Sequence, residues 1–69
     1  MKLAIIQCAD GNYRIVYEGI TTEQSALINF HNLCAALWGD AGTTEATVAI
    51  VDENLDIYHG YKEFISHNA

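Results

Sequence analysis

The chain has 69 residues, 51% of them hydrophobic and only 17% charged, with nine acidic residues against three basic ones and a formal net charge of −6. That length is expected to give one small domain with a modest core and no second domain. Lys2, Arg14 and Lys62 are too few to neutralise a run of phosphates, so binding to nucleic acid or to an anionic membrane surface is not expected.

The first residues, Met1 to Ile6, imitate the start of a signal peptide, but the apolar run stops at Gln7, short of the roughly 7 to 15 residues such a segment needs. Gln7 also stands where a lipoprotein cleavage site ending at Cys8 would require a small residue. No stretch approaches the roughly 18 apolar residues of a membrane span. The expectation is a cytoplasmic protein. Cys8 and Cys34 form no CxxC pair, and both read as small, buried, reduced thiols.

Leu3 to Cys8 is apolar on both alternating faces, which predicts a central strand. Asp10-Gly11 predicts a tight hairpin turn, because Gly tolerates the positive φ such turns demand. The second strand is then expected from Asn12 to Glu18, with Tyr13, Ile15 and Tyr17 on a buried face and Arg14, Val16 and Glu18 on a wetter one. Gly19 is expected to break it.

Thr21 and Gln24 have the spacing of a capping box, so a helix should begin there. Ala26, Leu27, Phe30, Leu33, Cys34 and Leu37 recur every three or four residues as one apolar stripe, bordered by Trp38 and stopped at Gly39. Leu27, Phe30, Leu33 and Leu37 are expected to be the main core. After a polar loop over 40–45, a third strand is expected from Thr47 to Asp52 and a fourth from Leu55 to His59, joined through Asp52-Glu53-Asn54. Tyr61, Phe64 and Ile65 have helical spacing, yet the same segment also reads as a strand continuing past a bend at Gly60; both options stay open. The fold class is therefore a two-layer ββαββ α+β domain: a small, mainly antiparallel sheet with one amphipathic helix on one face.

Catalytic and cofactor motifs are absent from the sequence. His31, His59, His67, Cys8 and Cys34 are possible metal ligands, but no two have ligand spacing and Cys34 belongs to the apolar stripe. The Asp52, Glu53 and Asp56 carboxylates lack the length and glycine of a calcium loop, and no GxGxxG or GxxxxGK occurs. No enzyme activity, cofactor or metal is expected.

One feature stands above this background. From Gln24 to Gly39 the helix carries no charge, although an outer helix face normally does. Ile28, His31, Asn32, Ala35 and Ala36 on that face have the charge-depleted character of a protein interface. The leading expectation is a non-enzymatic interaction domain that forms a homodimer through this helix face, since Arg14 and Glu18 are expected to interrupt the sheet. Alternatives are a small-ligand binder or minor enzyme using Tyr13, Tyr17 and His31, and an acidic inhibitor or antitoxin of a basic protein partner.

Overall fold

In the computed structural model, which describes residues 1–9 and 11–67, strand β1 spans Leu3–Ala9 and buries Leu3, Ile5 and Gln7 on one side. Strand β2, Asn12–Ile20, returns antiparallel to it after Gly11, whose φ of +83° is the turn geometry the sequence predicts; Asp10 lies outside the described residues. Helix α1, Glu23–Trp38, leads to β3, Glu45–Val51, and β4, Ile57–Ser66. The four strands pair antiparallel throughout in the order β2-β1-β3-β4, so β1 is central as expected.

The helix packs on one face of this sheet, mainly over β3 and β1. Ala26, Phe30, Cys34 and Leu37 descend from it onto Leu3, Ile5, Val48, Ile50 and Ile65. The expected stripe is correct in direction but incomplete as a core. Leu27 and Leu33 are only half-buried at its flanks, and the largest fully buried side chains belong to the strands. Among the described residues no helix is long and apolar enough to cross a membrane.

Several local expectations are corrected. The helix is capped by Thr22 rather than Thr21: its hydroxyl accepts from the Ser25 N–H at 3.2 Å, which removes Gln24 from the capping-box position. Gly19 does not end β2. It sits inside the strand at φ +71°, next to an irregularity that lets Ile20 pair with Leu3. Cys34 is buried as expected, but Cys8 is exposed, because it alternates onto the face the helix does not cover.

The segment after Gly60 is strand, not helix. His59 at φ +49° and Gly60 at φ +73° form a left-handed step, and the bulge there absorbs the residues between the Ala49–Lys62 and Val51–Ile57 pairs. Glycine takes the second of these conformations at little cost. Beyond the bulge, Ile65 turns into the core while Phe64 points to the opposite face, which accounts for their misleading helical spacing.

Candidate functional site

The face of the sheet opposite the helix can be built from the register alone, since cross-strand partners share a face. One row across the strands reads Tyr13, Cys8, Thr47 and Phe64; the next reads Ile15, Ile6, Ala49 and Lys62. Ala4, Val51 and Ile57 continue the face on one side, and Glu45 with Ser66 closes it on the other.

The edge strands of this face carry its most exposed large side chains. Tyr13 is 56% exposed, Ile15 49%, Phe64 55% and Ile57 45%. The central strands supply a lower floor of Ala4, Cys8, Thr47 and Ala49. At the end near the first turn, Cys8, Gly11, Glu45, Ala46, Thr47 and Phe64 enclose a depression of about 260 Å³.

Among the described residues the register places two charges on this surface, Glu45 and Lys62, and gives Glu18 no cross-strand partner. Arg14, expected to interrupt the sheet, is paired with Gln7 and lies on the helix side. Tyr13, Ile15 and Tyr17 do not share a buried face either. A bulge between the Ile6–Ile15 and Ile5–Tyr17 pairs takes Tyr17 out of the alternation, and all three rings or chains remain exposed on an edge strand.

The outer helix face is the second uncharged surface. Ile28, His31, Asn32, Ala35 and Ala36 are all exposed, and Glu23, Gln24, Leu27, Ile28, His31 and Asn32 line an open cleft of about 470 Å³. Tyr13 and His31, considered together for a ligand site, fall on opposite sides of the molecule, one on the open sheet face and the other on the outer helix face.

Two polar clusters tie the helix to β4. At its first turn Glu23 accepts a 2.8 Å hydrogen bond from the Tyr58 hydroxyl, which raises the phenol's pKa, and lies 3.8 Å from the His59 imidazole. Tyr58 and His59 stack at 4.1 Å. At its last turn the Trp38 indole donates to Glu63 at 2.6 Å, and the His67 ring lies 3.0 Å from the Leu37 carbonyl.

Burial, with the Glu63 carboxylate beside it, pushes the Cys34 thiol up to about 11. That is the wrong direction for a nucleophile, which needs its thiolate at neutral pH. Among the described residues no three His, Cys, Asp or Glu side chains gather as a metal site. No protein-family model, curated protein or solved structure matches the chain.

Proposed function

We propose that this protein works by protein contact rather than catalysis, pairing with a second copy of itself through the open face of its sheet. The supporting observation is that one sheet face is covered by α1 while the other exposes Tyr13, Ile15, Ile57 and Phe64 around an apolar floor. An antiparallel sheet with one solvated face normally alternates apolar and polar residues, and β1 and β3 do not. Large apolar side chains exposed together on one face mark a contact.

Size favours an identical partner. Four strands about 4.8 Å apart and about seven residues long at about 3.4 Å each make a face of roughly 19 by 24 Å, or ~450 Å² in flat projection. Side-chain relief enlarges that area toward the ~800 Å² each partner buries in a standard interface. Two-fold pairing of equal patches is the commonest assembly of small proteins, and it gives a short chain a second hydrophobic layer. The acidic residues Asp40, Asp52, Glu53 and Asp56 sit in the loops, so their repulsion falls at the periphery of such a dimer. The exposed Cys8 thiol suits a reducing compartment such as the cytoplasm.

The open sheet face takes precedence over the helix face because it exposes more large apolar side chains, the helix offering mainly Ile28 and Trp38. The experiment compares Phe64→Glu with Ala35→Glu, both at exposed positions, by sedimentation at matched concentrations. Phe64→Glu is expected to give monomer with an unaltered fold, and Ala35→Glu to remain dimeric. The reverse pattern would move the contact to the helix face around Ile28, Asn32 and Ala35, and a monomeric wild type would overturn self-association altogether.

A further inference from the structure

Resting on that pairing, we infer its orientation: the two-fold axis runs across the strands, along the row Tyr13, Cys8, Thr47 and Phe64, and sets Glu45 of each copy against Lys62 of the other. Two identical sheets packed face to face have an in-plane axis that runs either across the strands or along them, within the roughly 30° set by sheet twist. Of the described residues, the two charges that the register places on this face, Glu45 and Lys62, discriminate between them.

Glu45 and Ser66 form the row on one side of the proposed axis, and Lys62 with Ala49, Ile6 and Ile15 forms the row on the other. Rotation about that axis lays the first row of one copy over the second row of its mate. Glu45 then faces Ala49 of the mate, whose cross-strand neighbour is Lys62, one strand spacing of about 4.8 Å away. Two long side chains span that offset.

Both charges are exposed, and neither has an ion-pair partner among the described residues. They are free to be satisfied across an interface. The same rotation brings Tyr13 against Tyr13 and Phe64 against Phe64 at the two rims. An axis along the strands would instead lay Lys62 over Ile15 of the mate and turn Glu45 toward the first hairpin turn, covering both charges without partners. Unpaired charges covered by a contact oppose it.

The test uses Glu45→Lys and Lys62→Glu, measured by sedimentation equilibrium alone and as an equimolar mixture. Each variant alone places like charges at both symmetry-related contacts, so its self-association should weaken about tenfold or more. In the mixture each contact again joins Lys to Glu, and a heterodimer of near wild-type affinity should form. The double variant Glu45→Lys/Lys62→Glu should also recover. Single variants that associate as tightly as wild type, or a mixture no tighter than its components, would overturn this orientation while leaving the dimer itself standing. Wild type that stays monomeric would overturn both.

Discussion

Gln7 lies on the helix side of β1 with Arg14 and Val48 as its cross-strand partners, is only 8% exposed, and has a buried Oε1 with no hydrogen-bond partner among the described residues. An unsatisfied buried acceptor costs about 1–3 kcal/mol. Methionine has nearly the same length and shape without the amide, and volume-conserving changes of that kind repack with little strain. Gln7→Met should therefore stabilise the fold by about 1–2 kcal/mol. For a domain of this size each kcal/mol moves the melting temperature by roughly 4–8 °C. Circular dichroism melts of the two proteins at equal concentration, supported by urea midpoints, measure the shift. A melting temperature equal to or below that of wild type would show that Oε1 is satisfied in solution, and the reasoning would be wrong. Gln7→Ala separates the two contributions, because it removes the orphan acceptor but leaves a cavity, and should gain less than Gln7→Met.

Phe30 is 3% exposed and packs 6.3 Å from the Tyr61 ring, so Phe30→Ala should cost about 3–5 kcal/mol and leave the protein largely unfolded at room temperature. A cooperative melt within a few degrees of wild type would contradict that. Gly11→Val forces a β-branched residue to the φ of +83° at the first turn and should lower the denaturant midpoint by an amount equivalent to at least about 1 kcal/mol; an unchanged midpoint would mean the turn rearranges freely. In a thiol titration at neutral pH, Cys8 should react at once and Cys34 only after denaturation, since Cys34 is buried with its pKa raised to about 11. Dimerisation over the sheet should also slow the Cys8 reaction as protein concentration rises. Cys34 reacting first would contradict both the burial and the face assignment.

The helix was legible because its apolar residues repeat at the period of an α-helix, whereas its cap was misplaced by one residue, at Thr21 instead of Thr22. The centrality of β1 was legible too, since both its alternating sets of residues are apolar; β3 carries the same pattern, but its place beside β1 came only from the structure. The same alternation cannot say which set the helix covers, so Cys8 read as buried when it is exposed. Beyond Gly60 the bulge at His59 resets the alternation, and Phe64 and Lys62 could not be assigned to a face until the β3–β4 register fixed them. For the same reason the open sheet face, assembled from all four strands, had no signature in any one segment. The outer helix face needed only one segment, and Ile28, His31, Asn32, Ala35 and Ala36 are exposed where the period places them.

Sedimentation equilibrium of the wild-type protein across micromolar concentrations is the most direct test of self-association. The proposed dimer predicts a mass rising to twice 7.6 kDa, with Cys8 becoming protected over the same concentration range. A mass of 7.6 kDa at every concentration, with Cys8 reactive throughout, would contradict it.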